Sequence, residues 1–173
     1  MRKLLLVIDM QTDFVDGALG TAEAVAIIPS VLREIAKYDK NDVIATRDTH
    51  PDSYMTSREG RYLPVPHCIK GTPGWQIHPA IAPAIEGCKI IDKPTFGSIE
   101  LCDHIVNIAK NEEIEVTLIG LCTDICVVSN AMLIKAALPE ININVVADAC
   151  AGVTPDTHSS ALATMKMCQI DIL

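Results

Sequence analysis

The chain has 173 residues, enough for one domain spanning residues 1–173 with a substantial core and no need of a metal or disulfide staple to hold it. Hydrophobic residues make up 49% and charged residues 21%, which excludes a disordered chain, a collagen or a low-complexity tract. Lys and Arg number 14 against 22 Asp and Glu, a net charge of -8, so the basic field that nucleic acids and anionic membranes require is missing.

The first segment, Lys3–Asp9, reads as a buried strand. The basic pair Arg2-Lys3 before Leu4-Leu5-Leu6 has a faint look of a signal peptide, but the apolar run closes on Asp9 and no small-residue cleavage site follows. Ala22–Tyr38 has a helical pattern, Asp42–Thr46 is a second strand, and Arg47 to Gly87 is irregular, with only a weak helical pattern near Ala80–Ile85. An irregular stretch this long inside a domain is usually functional. Strands at Lys89–Asp92, Glu115–Gly120, Asn142–Ala147 and Gln169–Leu173 then alternate with helical patterns near Ser98–Asn111, Asp124–Ala137 and Pro155–Met167. The strands are short, β-branched and apolar on both faces. Together they predict an α/β fold, a three-layer α/β/α sandwich on a parallel sheet with right-handed crossovers. The mean hydropathy of +0.29 is high for a soluble monomer and predicts a homo-oligomer. No run reaches the roughly 18 apolar residues of a membrane span, and the 7 cysteines are scattered and odd in number. Both features predict a soluble, cytoplasmic protein without a disulfide framework.

Ligands of open parallel sheets bind beyond the carboxyl ends of the strands. On this reading Asp9, the pair Asp48 and His50, Lys93, the turn Gly120–Cys126 and Asp148 all reach one rim. Cys126 lies two residues past Asp124, a good N-cap, where a helix start would lower a thiol's pKa. Read alone, it is equally a small apolar residue at a helix start. Asp9 is either a loop cap or a partly desolvated general base. Lys93, held extended by Pro94, is either a surface lysine or a cation supporting a neighbouring thiolate and carboxylate. Asp48, His50 and His67 have the composition of a site for zinc, iron or manganese, though their spacing alone is weak evidence. His78 is a further candidate, and His104 and His158 lie on helical patterns.

Three blocks carry a resemblance. They are Asp9-Met10-Gln11-Thr12-Asp13-Phe14, Lys93 with Thr95-Phe96-Gly97-Ser98, and Gly120-Leu121-Cys122-Thr123-Asp124-Ile125-Cys126-Val127. Their identity, order and spacing resemble the signature blocks of the isochorismatase-like cysteine hydrolases, and the likeness runs from Lys3 to at least Thr154. The resemblance implies a six-stranded parallel sheet in the order 3-2-1-4-5-6. It implies a catalytic triad of Asp9, Lys93 and Cys126. It also implies a cis peptide at Leu121–Cys122, with the backbone amides of Cys122 and Cys126 forming an oxyanion hole. Within the family, Arg47–Pro51 and Pro66–Gly74 resemble the nicotinamidase branch. That likeness implies a divalent metal on Asp48, His50 and His67, zinc or else iron or manganese, which would hold a pyridine nitrogen. Phe14 then serves as a wall for the ring, and Trp75 as a cover. Ile125 stands where that branch commonly has an aromatic residue and Cys122 where it commonly has alanine. Leu63-Pro64-Val65 replaces a segment that often holds tryptophan. These departures touch pocket shape and leave the triad intact. The activity implied is hydrolysis of nicotinamide to nicotinate and ammonia through a thioester on Cys126. Hydrolysis of another small amide, ureido or carbamoyl compound, and a non-catalytic metal-binding scaffold, are the alternatives.

Overall fold

Six parallel strands form one sheet in the order β3-β2-β1-β4-β5-β6 in the computed structural model, which describes all 173 residues. The strands are β1 (Arg2–Ile8), β2 (Val43–Asp48), β3 (Lys89–Lys93), β4 (Ile114–Leu121), β5 (Asn142–Ala151) and β6 (Asp171–Ile172). The central strand shows why the chain folds this way. Leu4, Leu6 and Ile8 point to one face and Leu5 and Val7 to the other, all fully buried. One face packs under α5 (Ile99–Ala109), α6 (Val128–Ala137) and α7 (Pro155–Met167) through Leu101, Ile105, Ala131, Ile134 and Met165. The other packs under α2 (Ala22–Ala26), α3 (Ile28–Ile35) and the 77–85 segment through Ala24, Val31, Ile35, Ile77, Ile81 and Ile85. Two short helices, α1 (Thr12–Val15) and α4 (Arg58–Tyr62), lie at the carboxyl ends of the strands. No helix is long and apolar enough to cross a membrane.

Three expectations change. The single helix expected over Ala22–Tyr38 is two, because Pro29 has no N–H for the carbonyl of Val25 and the ladder breaks at Ile27. Strand β5 runs on to Ala151, past a register shift that pairs Leu118 with Val145 but Gly120 with Cys150. Asp148 therefore sits inside a bulged strand, exposed, and not at the rim. Asp124 is not the N-cap of the following helix. The chain turns instead through a π turn at Thr123–Val127, with the N–H groups of Ile125 and Val127 both donating to the Cys122 carbonyl, and Asp124 accepts from the Val153 N–H at 3.1 Å.

Gly120 has φ +114, and a Cβ there would collide with the carbonyl of Ile8 on the neighbouring strand. Gly120→Ala should destabilise the protein by more than about 1 kcal/mol, read as a lower urea midpoint at unchanged m-value. An unchanged midpoint would show that the two central strands do not need this close approach.

Candidate active site

The register of the sheet builds the site. Asp48 and Lys93 are partners in the β2–β3 ladder, and Asp9 follows the last residue of β1. Asp9 has φ +47, an uncommon backbone state for a non-glycine residue, and it is pinned on both sides. Its N–H donates to Thr46 Oγ1 at 3.2 Å, Thr46 Oγ1 donates to its Oδ1 at 2.6 Å, and its carbonyl accepts from Gln11 N–H at 2.7 Å. This leaves Asp9 Oδ2 facing Lys93 Nζ at 2.7 Å. The same ammonium lies 3.4 Å from Cys126 Sγ, 3.3 Å from Asp48 Oδ1 and 3.1 Å from the carbonyl of Thr95. Asp9 and Lys93 have no solvent exposure and Cys126 has 4%. The structure thus brings together the aspartate, the lysine and the thiol that the sequence placed on one rim. The Leu121–Cys122 peptide that leads into the Thr123–Val127 turn is cis.

Burial governs the protonation of this group. It raises the Asp9 carboxyl, against the opposing pull of Lys93. Burial alone would lower Lys93, but Asp9, Cys126 and Asp48 outweigh it and hold the ammonium well above the ordinary lysine value. Burial, reinforced by Asp9, also pushes the Cys126 thiol well above its usual value, with Lys93 pulling the other way. The expectation of a thiol lowered by a helix start is therefore reversed. Burial thus favours the neutral form of Cys126, beside the Asp9 carboxyl.

A second cluster shares Asp48. One oxygen of Asp48 meets Lys93, while Oδ2 lies 2.9 Å from His50 Nε2 and 3.7 Å from His67 Nε2. Glu59 Oε1 lies 3.7 and 3.8 Å from the same two nitrogens. Donor atoms of Asp48, His50, Glu59 and His67 all fall within 4.8 Å of one another. Backbone pairing assembles them. The His50 N–H donates to the Cys68 carbonyl at 3.0 Å, and the Lys70 N–H to the His50 carbonyl at 2.9 Å, so the two histidine segments run side by side. His67 Nδ1 donates to the Val65 carbonyl at 2.9 Å, which leaves Nε2 turned to the cluster. His50 Nε2 is buried and, although close to Asp48 Oδ2, is not aligned for a hydrogen bond with it. Two imidazoles and two carboxylates converging in this way fit a divalent metal such as zinc. Tyr54, fully buried, packs its ring 4.8 Å from His50 and 5.0 Å from His67.

Sequence reasoning missed Glu59. Following Ser57, whose side chain caps α4, it reads as an acid stabilising a first helical turn. It missed Gln11 as well, whose Oε1 accepts from Asp48 N–H at 2.7 Å and whose amide nitrogen donates to the carbonyls of Asp48 and Trp75. His78 pairs with Asp16 outside the cluster, and His158 bonds Thr123.

A cavity of about 300 Å³ opens over both clusters, with Cys126, Asp48, Glu59 and His67 at its floor and Phe14, Leu63, Phe96, Ile125 and Val153 among its walls. Phe14 stands against His67 with ring centroids 5.5 Å apart. Trp75 does not line it. Its indole N–H donates to Thr49 Oγ1 at 2.8 Å and its ring lies 3.7 Å under the Arg47 guanidinium, so it braces the end of β2, with Asp48, and the start of the loop that carries His50. Phe96 is the wall where a cover was expected from Trp75. The volume suits a single-ring ligand rather than a polymer.

Glu59→Gln should weaken zinc binding by at least about tenfold in competition with a chromogenic chelator, without loss of fold. Wild-type zinc affinity in that variant would remove Glu59 from the cluster.

The site's likeness to known proteins extends over the whole chain. The nicotinamidase/pyrazinamidase of Mycobacterium tuberculosis is 29% identical, across 99% of this chain and 98% of that protein. The nicotinamidase of Escherichia coli is also 29% identical, across 95% of this chain and 90% of that one. Among solved structures, the pyrazinamidase of Pyrococcus horikoshii in complex with zinc superimposes with a TM-score of 0.81 at 29% identity, over 100% of this chain and 99% of that one. The nicotinamidase/pyrazinamidase of Bacillus subtilis gives 0.85 at 27% identity, over 99% of each chain. Since the isochorismatase domain model matches residues 3–173, the chain belongs to the isochorismatase family.

Proposed function

We propose that the protein is a metal-assisted cysteine amidohydrolase that converts nicotinamide, or a similar single-ring aza-aromatic amide, to the carboxylate and ammonia. The observation that carries this reading is one buried ammonium, Lys93 Nζ, within 3.4 Å of Cys126 Sγ and 2.7 Å of Asp9, behind a cavity whose lining takes in Cys126 together with Asp48, Glu59 and His67 of the candidate metal cluster. Relatives and solved structures described as nicotinamidases, similar over nearly their whole length, support it.

In this mechanism Asp9 takes the proton of the Cys126 thiol as the sulfur attacks the amide carbon. A carboxyl raised by burial is a better base than an exposed one, and Lys93 holds the growing negative charge on sulfur. The carbonyl π pair moves to oxygen, and the backbone N–H groups of Cys122 and Cys126 receive that oxyanion. A donor of this kind is worth about 2.7–4 kcal/mol. Asp9 returns the proton to the leaving nitrogen, ammonia departs, and a thioester remains on Cys126. Water, its proton taken by Asp9, cleaves the thioester and frees the thiolate, which is reprotonated. Asp48, His50, Glu59 and His67 would hold the metal, zinc in this reading, and it would supply a Lewis acid for the ring nitrogen. Phe14 and Phe96 orient the ring, so the amide carbon meets the sulfur at a fixed distance.

The aliphatic walls Leu63 and Ile125 favour a second reading in which the acyl group is another small amide, ureido or carbamoyl compound. All seven cysteines are free, which supports a reducing, cytoplasmic setting. The high mean hydropathy supports a homo-oligomer, and the domain spans residues 1–173.

Ammonia release from a panel of amides, with nicotinamide included, tests the function. Cys126→Ala should retain the fold and lose turnover by more than about 10⁴-fold; a variant with wild-type rate would end the thiol mechanism. His50→Ala should strip bound zinc and raise KM for pyridine carboxamides above all. Elemental analysis finding almost no metal in the gently purified wild type would end the metal reading.

A further inference from the structure

Asn130 sits one helical turn past Cys126 on α6, is 1% exposed, and spends its amide on three backbone groups. Its Nδ2 donates to the Cys126 carbonyl at 2.8 Å and to the Phe96 carbonyl at 3.2 Å, and its Oδ1 accepts from the Ser98 N–H at 2.9 Å. The 93–98 loop has few other anchors. Lys93 Nζ holds the Thr95 carbonyl at 3.1 Å, Ser98 Oγ caps α5 through the Leu101 N–H at 3.0 Å, and Gly97 lies against Leu133 and Ser129 of α6. One buried amide therefore ties the backbone of Cys126 to the loop that begins with Lys93 and carries the Phe96 wall. A polar side chain in an otherwise apolar interior is costly unless all its hydrogen bonds are made, so its bonds fix its place.

We propose that Asn130 is a positioning residue that locks the Cys126 turn and the Lys93–Ser98 loop into one unit, setting the sulfur against Lys93 and the Phe96 wall together. The proposal rests on the amidase reading for its kinetic consequence, but the lock itself belongs to the thiol and its loop. Without Asn130 the loop can shift on α6. Lys93 then loses its aim at the sulfur, and the ring wall loses its fixed distance from the reacting carbon. Displacements of about 1 Å at such a site cost up to 10²-fold in rate.

Asn130→Ala and the similar-sized Asn130→Leu test it, each checked for cooperative unfolding and zinc content. Iodoacetamide labelling read peptide by peptide should show Cys126 alkylation slowed at least about tenfold, with Cys88 and Cys168 labelled at their wild-type rates. In amide hydrolysis kcat should fall by a similar factor. Combined with Phe96→Ala, the loss in kcat/KM should be smaller than the product of the single losses, because both variants disable the same wall. Wild-type alkylation of Cys126 in a folded Asn130 variant, or fully multiplicative losses, would overturn the proposal. If neither variant folds, hydrogen exchange in the native protein decides. The Ser98 N–H should be protected like the core of α6, and exchange at loop rates would overturn the lock. Labelling and exchange need no substrate, so an inactive wild type would sink the amidase reading and leave this inference to be judged by its own data.

Discussion

The site depends on one buried ammonium. Lys93 has no solvent, and water is replaced by Asp9, Asp48, the Thr95 carbonyl and the Cys126 sulfur. A charge taken out of water is tolerable only if its surroundings are built for it, and stripping one partner from such a buried group costs about 3–5 kcal/mol. The sheet meets this demand before any ligand arrives. Parallel pairing sets Asp48 beside Lys93, and β1 delivers Asp9 from the next strand. Asp48 divides its two oxygens between the ammonium and the histidine cluster, so the two clusters share one carboxylate. Burial pulls against that carboxylate, but His50 and Lys93 outweigh it and keep Asp48 below the ordinary aspartate value.

Around that centre, most buried polar atoms have a fixed partner. Thr46 aims Asp9, Gln11 grips both backbone groups of Asp48, and Trp75 braces Thr49 beneath Arg47. Asp13 accepts the Cys68 N–H at 2.8 Å, fixing the loop that carries His67. The exceptions are Asp9 Oδ2, which faces the Lys93 ammonium, and His50 Nε2, which lies close to Asp48 without an aligned hydrogen bond. Such a shell holds reacting groups in place in advance, so little reorganisation is left for the chemical step.

Much of this was legible in the residues. Leu4–Ile8 is apolar at every position, so a buried strand followed directly, while its central place came with the family resemblance; the helical pattern at Pro155–Met167 matches its helix, which Thr154 and Thr157 cap reciprocally. The reactive residues could be found because strand ends in a parallel sheet share one rim. What escaped the reading has physical reasons. Asp148 looked like a strand end because a bulge is invisible to apolar periodicity. Glu59 lay in a stretch read as irregular, where sequence does not show which side chains converge, and Asn130 sat inside a helical pattern, with its loop partners more than thirty residues away. Cys126 carried the wrong expected sign because sequence shows the helix start but not the burial, which outweighs it.

The two halves of the floor differ in how they are encoded. Asp9, Lys93 and Cys126 come from three distant segments, whereas all four side chains of the candidate metal cluster fall between residues 48 and 67, at the end of β2 and in the excursion that follows it. Only Asp48 belongs to both. Residues 49–70 of that excursion, which leave out the 77–85 segment that packs the sheet, are thus close to a cassette: lengthening, trimming or swapping them would alter the candidate metal cluster while Asp9, Lys93 and Cys126 stay in place. A fold wired this way can change what it recognises by editing one contiguous stretch, without re-solving the problem of a buried lysine.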